Sequence, residues 1–513
     1  MKNHLISHST SMLLVTLLLA FGPYRIHAQA AGRDTAQNQL ESLATQLAAA
    51  EDHLKQSQQE IERLREQVNA LRAQLSATDA SPSVQSTNKA SAEAAQNLTE
   101  GSSSSVADLK DQLAVVQSQV EQHEQIKVES ASKYPVSLNG LVLFNAFSNH
   151  GGVDNFDQPA LAVPLTPDTP SQAFGASLRQ TIIGIQANGP HLAGASSYAE
   201  INMDFYGGTQ YNNYGSTGGL VRMRTAAARL LWKKDTAEIG LVEPLISPLS
   251  PTSYASVAEP AMAWAGNLWT WAPQLRYQHR FDTSSRSNLS WEFGLWDPPA
   301  AGYTNADIYR APSAGERSGQ PAYETRIAWN RGEQNAPDSL QVGIGGYYSR
   351  MAYAGGRNGD SYAFTGDWKV PILHHFEWSG EAYRGRALGG LGGGVYKNIV
   401  SGTDPITGAA TFRLLNDAGG WTQAKLRFTN ILEVNSAFGL DNGFARDFHS
   451  IIIPASASAV QLRARNQMWS ANLIYTPKTY LIFSPEFRHI RTFNINSASS
   501  SADIFTLSLG YRF

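Results

Sequence analysis

From Val136 to Phe513 apolar and polar residues alternate with a period of two, the pattern of strands with one apolar and one polar face. In the last nine residues Phe505, Leu507, Leu509, Tyr511 and Phe513 share one face, and Thr506, Ser508, Gly510 and Arg512 the other. Leu289, Trp291, Phe293 and Leu295 likewise oppose Ser290, Glu292 and Gly294. Ala199, Ile201, Met203 and Phe205 oppose Glu200, Asn202 and Asp204. The alternation predicts about 16 strands, at 136–147, 175–187, 194–206, 219–232, 235–242, 271–281, 288–296, 322–331, 339–350, 361–370, 375–386, 418–429, 431–442, 467–476, 479–493 and 500–513.

The connections alternate in length. Those at 148–174, 207–218, 243–270, 297–321, 387–417 and 443–465 are long. Those at 188–193, 233–234, 282–287, 430 and 477–478 are short. A soluble sandwich has no reason to alternate so, whereas a transmembrane β-barrel has short periplasmic turns and long external loops. The expected fold is therefore an all-β transmembrane barrel of antiparallel strands over 134–513. Its first connection is long, so its first strand runs outward and everything before Val136 lies in the periplasm.

Upstream the period changes to 3.5. Leu40, Leu47, Leu54, Ile61, Val68 and Leu75 fall seven apart, and Leu43, Ala50, Ser57, Leu64 and Leu71 hold the second seam. Such heptads predict an α-helical coiled coil over 31–78, and hence self-association. The core residues do not choose between two and three strands. The Ser-, Ala- and Asn-rich stretch 79–105 reads as a disordered linker. A shorter heptad run, Val106, Leu109, Leu113, Val116 and Val120, follows within 106–133. Lys2, the apolar run 12–21 and the small residues up to Ala30 describe a secretory signal peptide over 1–30, cut after Ala28 or Ala30.

Composition narrows the functions. Only 16% of the 513 residues are charged and the net charge is −3, which argues against a nucleic-acid partner. Cysteine is absent, which excludes disulfides, thiolate metal sites and a Cys nucleophile. The glycine run 389–394 lacks the Lys-Ser/Thr of a phosphate loop, and no Gly-x-Ser-x-Gly elbow occurs. His374 and His375 lack spaced carboxylates, so no metal site, cofactor or enzymatic activity is expected.

Several short motifs together resemble trimeric outer-membrane porins of the DcaP-like and phosphate-selective (O/P) families. They are Leu178-Arg179-Gln180-Thr181 with Gly184, Ala199-Glu200 with Asp204-Phe205, Arg222-Met223-Arg224-Thr225-Ala226 and Pro273-Gln274-Leu275-Arg276. The aromatic last strand resembles the signal read by the barrel-assembly machinery, which points to Tyr511 and Phe513. The resemblance implies a homotrimer in outer-membrane lipid that passes small hydrophilic solutes, often anions such as phosphate or carboxylates.

In such a channel fixed charges on inward positions select ions. Strand parity directs inward Arg179, Arg222, Arg224, Arg276, Arg280, Arg326, Lys425, Arg427, Arg488 and Arg512. The expected inward acids are Glu200, Asp204, Glu292, Glu324, Glu377, Glu381, Glu433 and Glu486, with Glu200 and Asp204 facing Arg222 and Arg224. Segment 243–270 is apolar and stiffened by Pro248 and Pro251. Exposed, it would form a sticky patch, so it is expected to fold inward as a constriction loop that also carries Tyr254 and Glu259. A subunit contact is the alternative for that segment. The competing function is an envelope tether whose coiled coil engages peptidoglycan, with the barrel as anchor.

Overall fold

The computed structural model describes residues 134–513, apart from 168, 210–217, 301–310, 333–335, 337, 354–355, 374, 455 and 496–497. The expected signal peptide, coiled coil, linker and second heptad run all lie outside the described residues, as does His374.

The chain forms β1 (Val136–His150), β2 (Gln172–Ser177), β3 (Ile182–Leu192), β4 (Ala195–Asp204), β5 (Arg222–Leu231), β6 (Asp235–Val242), β7 (Ala272–Ser284) and β8 (Ser287–Trp296). It continues with β9 (Ala322–Arg331), β10 (Leu340–Ala352), β11 (Asn358–Leu373), β12 (Phe376–Arg386), β13 (Ile399–Thr403) and β14 (Ala410–Leu414). The last five are β15 (Asn416–Thr429), β16 (Leu432–Gly443), β17 (Arg463–Lys478), β18 (Leu481–Asn494) and β19 (Ser500–Arg512). Apart from β2 and β3, each wall strand pairs antiparallel with the next wall strand along the chain. β13 and β14 instead form a separate hairpin in the long connection after β12. β2 and β3 pair in tandem with β1 and make one wall position broken at 178–181, where Thr181 Oγ1 accepts from the Leu143 N–H at 3.1 Å. The wall thus has 16 positions among the described residues.

β19 pairs with β1 from Leu141↔Arg512 to His150↔Asp503 and closes the barrel. Gly140 and Phe513 extend the seam with reciprocal hydrogen bonds of 2.9 and 3.1 Å. A Cβ on Gly140 would stand 2.5 Å from the Phe513 ring, so the seam requires glycine there. Closure leaves the barrel wall no free edge for another chain to pair with.

The period-two pattern sorts the wall as expected. Phe144, Ile185, Ile201, Trp291, Ile344, Phe364, Trp469 and Phe505 are exposed on the outer face, while Glu324, Asp367, Glu381, Asn435, Asn472 and Glu486 are buried on the inner one. Apolar side chains out and polar side chains in is the reverse of a soluble fold, and it suits a wall in lipid.

Candidate functional site

The barrel has one end with short turns and one with long connections, called here the turn end and the loop end. The site is the lumen between them. The connection from β6 to β7 runs inside it and follows most of its circumference. Its Leu245 N–H donates to Glu324 on β9 at 2.9 Å, and its Leu249 N–H to Glu381 on β12 at 2.7 Å. The Thr252 N–H reaches Gln423 on β15 at 2.6 Å, and the Thr252 carbonyl accepts from Asn472 on β17 at 2.8 Å. Ser253 and Ser256 donate to and accept from the β18 pair Glu486 and Arg488. Arg512 on β19 donates to the Tyr254 hydroxyl at 2.6 Å. The Gln180 side chain accepts from the Val257 N–H at 2.7 Å, and Arg222 on β5 donates to the Ala258 carbonyl at 2.8 Å.

Apolar contacts hold the same segment. Ile246 and Leu268 pack with Trp296, Tyr347, Tyr383 and Leu391, and Met262 and Ala265 pack with Trp421, Met468 and Ile490. Burying one such side chain contributes about 1.5–3 kcal/mol, against roughly 1 kcal/mol for one hydrogen bond, so packing dominates retention and the tethers set position. Glycines make room where the loop meets the wall. A Cβ on Gly439 would stand 2.1 Å from the Ala265 carbonyl oxygen, and one on Gly266, at φ +101°, would stand as close to the Gly420 carbonyl oxygen. Of the expected loop residues, Pro251 is buried, Pro248 is exposed to the remaining space and Glu259 is partly buried. The Glu259 carbonyl accepts from Gln158 at 2.8 Å. Loss of hydration pushes the Glu259 carboxyl up to about 7, opposed by Arg222 and reinforced by Asp154 and Asp204.

The inward cations nearly all have carboxylate partners. Arg179 pairs with Asp157 at 3.0 Å, Arg276 with Glu238 at 3.5 Å, and Arg326 with Glu292 at 2.9 Å and Asp367 at 2.7 Å. Lys425 pairs with Glu433 at 3.7 Å, Arg427 with Glu377 at 2.8 Å, and Arg488 with Glu486 at 2.6 Å. Arg222 grips Asp204 with two hydrogen bonds, of 3.0 and 2.7 Å. Glu200 does not face Arg222 or Arg224. It pairs with Arg229 at 2.6 Å, because the β4–β5 register sets Tyr198 against Arg229 and leaves Glu200 diagonal to it.

Arg224 departs from simple parity. The register shifts between Asn202 and Met203, which pair with Thr225 and Met223, so Arg224 is the extra residue of a β-bulge. A bulge re-aims its side chain, and the Arg224 guanidinium stacks over Trp271 at 4.9 Å beside Arg222 at 5.3 Å. No carboxylate lies within ion-pair distance of Arg224 among the described residues, and its Nη1 is buried without a hydrogen bond. Arg280 sits at the turn-end mouth, largely exposed, paired with Asp282 at 3.0 Å rather than lining the interior.

Glu324, Glu381 and Glu486 were expected as charges of the lumen wall, yet all three are buried and anchor the inner loop. Parity alone cannot separate a wall acid facing water from one facing a loop. Arg229, Glu238 and Asp367 escaped the sequence reading although their strands were assigned. A second inward segment was also missed. Residues 157–162 tuck inside, where Asn466 donates to the Ala160 carbonyl at 3.0 Å and Arg488 to the Pro159 carbonyl at 3.1 Å. Its apolar run Pro159-Ala160-Leu161-Ala162-Val163 carried the same signal as 243–270.

No family model and no curated protein sequence matches the chain. Among solved structures the barrel is similar to the outer membrane channel DcaP of Acinetobacter baumannii, at 15% identity and a TM-score of 0.54, over 74% of this chain and 99% of that one. OmpF of Salmonella typhi, at 13% identity and a TM-score of 0.44, covers 74% of this chain and 98% of its own. OprB of Pseudomonas putida, at 10% and 0.43, covers 74% and 94%. The resemblance to DcaP-like porins expected from the sequence therefore holds for the fold: this chain shares with DcaP the closed antiparallel barrel of an outer-membrane channel.

Proposed function

We propose that this protein is an outer-membrane diffusion channel for small hydrophilic solutes, prefers anions such as phosphate and carboxylates, and works as a homotrimer. The observation that carries the anion preference is the unequal exposure of the paired charges. The Arg222 side chain is 26% exposed while its partner Asp204 is 0% exposed, and Arg427 is 23% exposed against 5% for Glu377. In both of these pairs the cation faces the water and the anion stands behind it. A passing solute meets guanidinium forks, which match carboxylate and phosphate geometry. Arg224 adds a cation with no paired acid among the described residues. The inner loop narrows the lumen beside Arg222 and Arg224, where low-dielectric walls strengthen each charge. Lys425 and Glu433 run the other way, at 13% and 22% exposed, as do Arg326 and Glu292 at 5% and 13%, which makes this a preference and not strict selection. Liposome swelling tests the reading. Vesicles holding the purified protein should swell faster in small carboxylates than in neutral sugars of equal size. Swelling no faster than that of protein-free vesicles contradicts a channel.

A further inference from the structure

We propose that the outer face of β10–β18 at the loop end binds the phosphorylated headgroup of an outer-leaflet glycolipid. Five arginines stand there at outward positions: Arg350, Arg384, Arg386, Arg465 and Arg491. They lie in register across the wall. Arg384 is opposite Phe364 and Ala418, Ala418 opposite Asn442, Asn442 opposite Arg465, and Arg465 opposite Phe493. One row higher Arg386 is opposite Tyr362, itself opposite Tyr348.

Aromatic rings hold the guanidinium groups in place. Arg384 lies 3.9 Å from the Phe444 centroid, Arg465 and Arg491 lie 3.7 and 4.8 Å from that of Phe493, and Arg386 lies 5.2 Å from that of Tyr362. Ring stacking leaves the edge donors of the fork free to bond a further group. Acids on this face are already engaged. Asp360 pairs with Arg350 at 2.6 Å, Asp447 lies 3.6 Å from Arg446, and Asp503 bonds His489 at 2.6 Å. Arg384, Arg465 and Arg491 have no carboxylate within ion-pair distance among the described residues.

The opposite half of the rim differs. Its outermost outward strand positions, Met203, Met223, Leu241, Pro273, Leu295 and Tyr323, carry no charge, and Asp297, which donates its N–H to the Pro273 carbonyl, is acidic rather than basic. Phe364 stands beside Arg384, and two outward positions further from the loop end come Phe438, Trp469 and Phe505, all exposed on the outer face. A cationic row over an apolar wall is costly at hydrocarbon depth and favourable at the headgroup level. Its occupant must therefore join acyl chains to a planar, multiply charged acceptor, which a phosphorylated glycolipid does. This inference rests on the outer-membrane location proposed above, and does not require an open channel.

Native mass spectrometry of the full chain, with bis-phosphorylated lipid A and its dephosphorylated form as probes, tests it. Wild type should retain the phosphorylated form about tenfold better, a margin of about 1.4 kcal/mol. The triple change Arg384→Gln, Arg465→Gln and Arg491→Gln should remove that margin while the heat-modifiable barrel and its conductance in a plain phospholipid bilayer persist. Equal retention of the two lipids by wild type overturns the proposal, as does an undiminished margin in the triple variant. Loss of the oligomer with lipid retention intact overturns it too, and assigns the face to a second copy. Should the triple variant fail to fold, the two-lipid comparison on wild type and on Arg491→Gln alone decides.

Discussion

At the scale of single residues, exposure matters more than charge count. Arg222 and Asp204 cancel on paper, yet only the arginine meets the lumen. Changing Arg222 and Arg224 together to Ala should therefore move the reversal potential in a salt gradient toward cations. The shift should shrink at high ionic strength, where screening reaches only ~3 Å at 1 M salt. An unmoved reversal potential at low salt would assign selectivity to other groups. Glu259 adds a pH dependence. Burial raises its carboxyl to about 7 from the ordinary 4.5. Between those values the folded chain holds a proton that the unfolded chain releases. The associated stability is thus full below the ordinary value and is lost as pH rises through about 7. Ionisation also sets a negative charge beside Arg222, so anion preference should be stronger at pH 6 than at pH 8. Glu259→Gln should flatten that step, and an identical step in the variant would assign the titration elsewhere.

At the scale of elements, the strands were legible and the interior was not. Alternation located all 16 wall positions because one face of each strand meets an apolar surrounding and the other does not, and this imprints period two. The hairpin of β13 and β14 was missed because it has no such two-sided environment. That 243–270 turns inward was readable from its apolar character; which wall groups receive it was not, since Glu381 and Glu433 share a parity and differ only in what stands opposite. The strand glycines held an unused clue, because a glycine inside a strand often marks close backbone approach. Gly439 is such a seat. In Gly439→Val the new side chain meets the Ala265 carbonyl, which cannot swing away as a flexible side chain would. Overpacking of this kind costs about 1–3 kcal/mol, less than the packing that retains the loop. The loop should therefore shift toward the barrel axis, with lower single-channel conductance and an intact heat-modifiable barrel. Wild-type conductance would show that the loop does not bound the path.

At the scale of the whole molecule, the barrel depends on one seam joining its two most distant strands, β1 and β19. Phe513 contributes both backbone hydrogen bonds to Gly140 and a ring over it. A charge at this margin of a lipid-facing wall costs only about 0–1 kcal/mol once folded. Phe513→Asp should thus act mainly on closure and assembly, lowering the folded barrel recovered from the membrane several-fold. Wild-type recovery would remove Phe513 from that role. We propose that this barrel, with its loop drawn inside, remains an open and weakly anion-preferring channel. A current–voltage curve of the full-length protein in a planar bilayer, with unequal KCl on the two sides, tests it most directly. A steady open current is expected, with a reversal potential displaced toward that of chloride. A persistently closed channel, or a reversal potential at zero or on the potassium side, would contradict it.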